Sequence, residues 1–314
     1  MAKKPKKTKK TAPVHPIQTV NQAFATILKH NFELLLRWED TARSWQDTEG
    51  VHQVRVALRR MRSAFTAFRP AVPRAATEHW SKETRGLFNR LGLARDIDVF
   101  IEESLGAVRG KLFLDGEEHL KRLAEARRAG AYDEVRCMLD SQEYARFKRD
   151  FRQWLDTEAW QNASYPAHAR KRLQSNVVTF ARQVINERMH KFLKAGNHVD
   201  QTSALEMHRL RIKCKKLRYS AEFFAPLFDS KHEFVGHLKA LQDLLGAMHD
   251  VAVLPDLLSE LVGGAQDADA LMYAGALIGW RAHEYHELQQ TFPARWKKLS
   301  EVQQVEWQEA AAVA

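Results

Sequence analysis

From about Ile17 onward, apolar residues recur three and four positions apart with little strict alternation, a periodicity that predicts helices and no strands. The predicted helices lie near 17–45, 50–68, 74–90 and 94–107, then in a less regular stretch near 117–157. The rest lie near 167–195, 203–225, 231–249, 251–262 and 267–300. Their ends carry recognisable chemistry. Ser203 with Glu206, and Ser230 with Glu233, fit the capping box, in which serine and glutamate satisfy early backbone donors reciprocally. Pro166 opens the 167–195 helix and Gly196-Asn197 closes it, while Pro70 and Pro226 each end a preceding helical run.

The same helical pattern occurs twice. VHQVRVALRRMRSAFTAFRP from Val51 matches MHRLRIKCKKLRYSAEFFAP from Met207 without a gap, at an offset of 156 residues. A second match, Leu91-Gly92 with Asp96 against Leu245-Gly246 with Asp250, follows in the same order at an offset of 154. Two matches at nearly equal offsets indicate an internal duplication. The chain therefore divides into a tail over 1–16, a first helical repeat over 17–160 and a second over 161–314.

On a helical wheel, His52, Arg55, Arg59 and Arg62 fall within about 80° of one another and make one stripe about 15 Å long. Val51, Val54, Leu58, Met61 and Phe65 occupy the adjoining sector, which should face the core. His208, Arg211, Lys215 and Arg218 repeat the stripe beside Leu210, Cys214 and Leu217; Arg60 and Lys216 fall off it. Like charges three and four apart cost a helix a few tenths of a kcal/mol per pair. Neither run has an acid between its histidine and its last arginine. A bound polyanion would relieve that repulsion and add charge-assisted, often bidentate hydrogen bonds. Pairing with acids on neighbouring helices, such as Asp96, Asp98, Asp243 and Asp250, is the structural alternative.

Charge and composition narrow the reading. The net charge is +10, but the first ten residues hold six lysines and no acid, so removing them leaves +4 for the rest. That tail has no apolar area to bury and is expected to be disordered. No apolar run reaches the roughly 20 residues that span a bilayer. The two cysteines, Cys137 and Cys214, suit a reducing, cytoplasmic setting rather than a disulfide framework.

These residues resemble the CHAD family, the conserved-histidine α-helical domain. His52, Arg55, Val56, Arg59, Arg60 and Arg62 fit its first motif, and His208, Arg211, Ile212, Lys215, Lys216, Arg218 and Tyr219 its second. The segments from Leu91 to Phe100 and from Leu241 to Asp250 are similar to its other two signatures; His249 stands where a small polar residue is expected. The resemblance implies an all-α fold of two pseudo-symmetric four-helix bundles around a central basic groove or pore. It also implies binding of inorganic polyphosphate and, for bacterial members, association with polyphosphate granules. The binding set it carries over is His52, Arg55, Arg59, Arg60, Arg62, His208, Arg211, Lys215, Lys216 and Arg218.

Other function classes find less support in the residues. There is no P-loop, no H-E-x-x-H, no G-x-S-x-G and no E-x-E-x-K signature, so a phosphohydrolase or metal-dependent enzyme is disfavoured and no cofactor or resident metal is expected. The Glu49/His52 and Glu187/His190 pairs occupy non-equivalent places in the repeat, and His283 with His286 is a lone pair. A nucleic-acid binder is the main alternative. The chain lacks a helix-turn-helix, zinc-finger or RNA-recognition signature, and Trp38, Trp80, Trp154 and Trp280 sit in helical patterns that point to core packing.

Overall fold

The computed structural model describes residues 12–228, 232–263 and 267–301. The principal helices are α1 (Val20–Trp38), α2 (Glu49–Ala67), α3 (Arg74–Arg90) and α4 (Gly92–Val99). A π-helical stretch, Phe100–Leu105, and the short α5 (Gly106–Val108) lead to α6 (Glu117–Asp140) and α7 (Gln142–Asp156). The second half holds α8 (Ala167–Leu173), α9 (Val177–Gly196), α10 (Ala204–Phe224), α11 (His232–Val262) and α12 (Ala268–Glu301). Among the described residues there is no strand, and no helix is long and apolar enough to cross a membrane.

The duplicated helices bury the faces their periodicity marks. Val51, Val54, Leu58, Met61 and Phe65 of α2, and Leu210, Cys214 and Leu217 of α10, are all at most 2% exposed. Backbone hydrogen bonds join the start of α1 to the start of α9. Val20 N–H donates to Ser175 O (2.9 Å), and Val177 N–H to Gln18 O (3.0 Å). Equivalent phenylalanines Phe68 and Phe224 lie 5.6 Å apart between ring centroids, and Phe68 also packs on Phe24 at 5.1 Å and Phe180 at 5.3 Å. Edge and tilted contacts of this kind suit aromatic quadrupoles and fix the seam between repeats.

Several boundaries depart from the periodicity. The expected 167–195 helix is broken, because the Asn176 side chain caps α9 through Val178 N–H (2.8 Å) while the adjoining backbone pairs with residues 18 and 20. The expected break near residue 250 is absent, and α11 continues through Pro255. The 117–157 stretch is two helices, separated where Ser141 accepts from Tyr144 N–H. At α10, Ser203 caps as expected, accepting from Glu206 N–H, but the Glu206 carboxylate turns to Asp200 N–H instead of Ser203. The Ser230 cap lies outside the described residues.

The tail prediction also shifts. Residues 1–11 are outside the described residues, yet Ala12 and Val14 are 3% and 1% exposed, and Pro16 O accepts from Asn176. Two small apolar side chains have area to bury where the lysines do not. Gly50 permits a close approach that α2 needs, since a Cβ there would sit 2.4 Å from the Thr41 backbone.

Candidate functional site

The seam between α2 and α10 brings the two basic stripes together. Arg59 of α2 sits over the Tyr219 ring of α10 (5.6 Å), and Arg218 covers the same ring at 4.7 Å. Arg59 acts electrostatically on both Arg211 and Lys215, cations of the other half. The Nε groups of Arg59 and Arg211 are buried with no hydrogen-bond partner among the described residues. Asp96 and Asp250, equivalent in the repeat, also feel each other here. The stripes are therefore one cluster fed from both halves.

Neighbouring helices hold each cation in a defined posture. Arg55 donates to Phe88 O (3.1 Å) and lies 4.2 Å over the Phe88 ring, which Arg62 also covers at 5.5 Å. Gly92 lies beside that Arg55 guanidinium, where a Cβ would approach Nη1 to 3.4 Å. In the second half Arg218 Nε donates to Gln242 (2.6 Å), and Arg211 approaches Asp250 at 3.8 Å. His208 and His249 face each other through their Nδ1 atoms at 3.1 Å.

The protonation states record how crowded the positive charge is. Burial, then Arg211 and Arg59, push the Lys215 ammonium down to about 7. Burial, then Arg211, lowers His249 to about 4 and depresses His208, whereas His52 is lowered by burial and Arg95. Arg55 falls to about 10, chiefly through burial, with Asp96 opposing. Burial raises Asp96 and Asp250, against the nearby arginines.

Three of the ten predicted site residues, Arg60, Arg218 and Lys216, have other engagements. Arg60, 8% exposed, bridges the halves through Glu222 (2.6 Å), and Glu222 also takes Arg218 on its second oxygen. Lys216 is exposed, and the cations that act on it are Arg188, Arg69 and Lys213, none of them in the main cluster. Asp98 accepts from the Tyr132 hydroxyl (2.8 Å) and is raised to about 6 by burial. The sequence reading missed Arg95 and His249, which occupy equivalent places in the two Leu-Gly motifs and enter the cluster from α4 and α11. The repeat register itself, extended three residues past each glycine, is the signal that would have found them. Trp80 is in the core as expected, but Trp280 is 42% exposed with Lys111 near its ring.

The chain matches the family model described as the CHAD domain over residues 26–259. It is similar to the crystal structure of the CHAD domain from the plant Ricinus communis, at 25% identity and a TM-score of 0.74, covering 95% of this chain and 96% of that one. It is also similar in fold to PptA from Streptomyces chartreusis, at 16% identity and a TM-score of 0.65, covering 89% of this chain and all of the other (100%). No curated protein matches it.

Proposed function

Because the chain belongs to the CHAD domain family, its model matching residues 26–259, we propose that it is a non-catalytic module that binds inorganic polyphosphate in the basic cluster between its halves. The observation that carries this reading is the crowding of Arg59, Arg211 and Lys215, drawn from both repeats and only partly offset by Asp250. A phosphate chain carries charge at every unit, and arginine can bridge two of its oxygens. The aromatic rings here favour it over nucleic acid. Tyr219 is 2% exposed under Arg59 and Arg218 and offers no free face on which a base could stack, and on Phe88 a base would compete with Arg55 and Arg62. A cytoplasmic protein recruited to polyphosphate granules is the setting in which such binding would act.

Calorimetric titration with long-chain polyphosphate, with single-stranded RNA competing at equal phosphate concentration, tests the reading. Saturable binding that RNA does not displace, with no phosphate released over hours, is the expected result. Displacement by RNA would move the assignment to nucleic acid, and sustained phosphate release would make the protein an enzyme.

Binding should also take up protons. The free Lys215 ammonium titrates at about 7, below its ordinary 10.5, and a bound anion favours the charged form and raises it. Affinity should therefore fall as pH rises from about 7 toward the raised value, with proton uptake in that window. Folding has its own sign: between about 7 and 10.5 the unfolded chain holds the proton that the folded chain has lost, so this residue's contribution makes stability rise with pH. Titrations at pH 7.5 in buffers of different ionisation enthalpy measure the uptake, and Lys215→Met should remove most of it. Equal uptake by wild type and variant would show that the proton goes elsewhere.

A further inference from the structure

The repeat relation exposes a difference between the two flanks of the α2–α10 seam. On one flank Arg60 meets the Glu222 carboxylate at 2.6 Å, an anion supplied by the protein itself. At the 156-residue register, Arg60 corresponds to Lys216 and Glu222 to Thr66, so the other flank keeps the cation and has a hydroxyl where the carboxylate would be. Two more cations converge there. Arg188 of α9 donates through Nη1 to Lys216 O (2.7 Å) and Ser220 Oγ (2.6 Å), and reaches Thr66 Oγ1 with Nη2 at 3.4 Å. Arg69, just past the end of α2, acts on both Arg188 and Lys216.

We propose that Lys216, Arg188 and Arg69 form a second oxyanion site for a phosphoryl group, on the flank where Thr66 replaces the internal carboxylate. Lys216 then binds here and not in the main cluster, to which the family motif assigns it. The hydrogen bonds fix the Arg188 guanidinium across three helices using neutral acceptors, so its charge is positioned but not cancelled. Glu187, the acid whose charge reaches Arg188, is engaged by Gln183 (3.3 Å) and faces Lys191 at 3.9 Å. Burial and Arg69 lower Arg188 to about 10, and burial with Arg188, Arg69 and Lys213 lowers Lys216, the response expected of cations crowded without a counterion. Arg69 and Lys216 are exposed and Arg188 is half-buried, so a phosphoryl group can reach them from solvent. The site stands independently of the main cluster, because it shares no side chain with it.

Crystals of the full chain soaked in sodium tungstate, a phosphate mimic visible by anomalous scattering, test the proposal. The expected result is a peak within hydrogen-bonding distance of Lys216 Nζ and the Arg188 guanidinium. Thr66→Glu should abolish this peak by restoring the internal carboxylate, while leaving any peak near Arg59 in place. Lys216→Met is the second variant. It keeps the main-chain oxygen that holds Arg188, so the fold is retained while affinity at the flank falls by about tenfold, a single charged contact. Displacement of flank tungstate by orthophosphate would mark a site for free phosphate, and displacement by long-chain polyphosphate alone a site for part of a chain; either supports the proposal. No flank peak in the wild type, a peak unchanged in both variants, or displacement by neither phosphate would overturn it. A flank peak with none near Arg59 would refute the main-cluster reading and leave this one standing.

Discussion

Exchanging Arg59 and Lys215 together for alanine is expected to weaken polyphosphate binding by about 10²–10⁴-fold, from two charge-assisted contacts of about 1.5–3 kcal/mol each. The same double variant should melt no lower than wild type. Arg59 and Lys215 repel one another across the seam, and the Arg59 Nε makes no hydrogen bond among the described residues, so their removal relieves strain more than it breaks contacts. Arg60→Ala should behave in the opposite way, with a lower melting temperature and affinity close to wild type, because its charge is already spent on Glu222. Calorimetry and thermal denaturation of both variants separate binding cations from structural ones. If Arg60→Ala lost as much affinity as the double variant, the division drawn here between cluster and seam would be wrong.

Glu222→Gln should produce the second large effect, a gain in binding with a loss in stability. The carboxylate faces Arg60 and Arg218, whose side chains are 10% and 15% exposed, so its neutralisation removes the negative charge that two largely buried guanidinium groups share. Breaking a buried pair costs about 3–5 kcal/mol, and the residual exposure places this case at the lower end. The Arg218 charge, no longer matched by Glu222, becomes available to phosphate, so polyphosphate affinity should rise and its dependence on log salt should steepen by about one counterion. Urea unfolding gives the first quantity, and titrations at 50 and 200 mM salt give the second. Reduced stability with unchanged affinity and salt slope would make Glu222 a structural residue and nothing more.

The legible parts of the site share a physical origin. His52, Arg55, Arg59 and Arg62 lie on one face because helical geometry puts them there, and their match in α10 is a property of the sequence. Arg60 and Lys216 already fell off that stripe on the wheel, and the structure gives each a different neighbourhood: Glu222 for one, Arg188 and Arg69 for the other. The spacing of Arg218 and Glu222, four apart on one helix, was a readable hint of an internal ion pair. Nothing in the chain near Arg188 hinted that it would cross to α10, since its acceptors are a main-chain oxygen and two hydroxyls on other helices.

Helix content, the duplicated basic stripes and the apolar sectors beside them were determined by the amino-acid order alone, because each depends on spacing within single helices, and the family resemblance rests on the motif residues themselves. The tertiary structure decided which cations keep their charge uncompensated. Whether an arginine ends beside Glu222, over Tyr219 or against Lys215 depends on how α2 and α10 cross, and that crossing is set by the packing of Phe24, Phe68, Phe180 and Phe224 at the seam. Coulomb energies change steeply over a few ångströms in a low-dielectric interior, so small differences in placement separate a binding charge from a structural one.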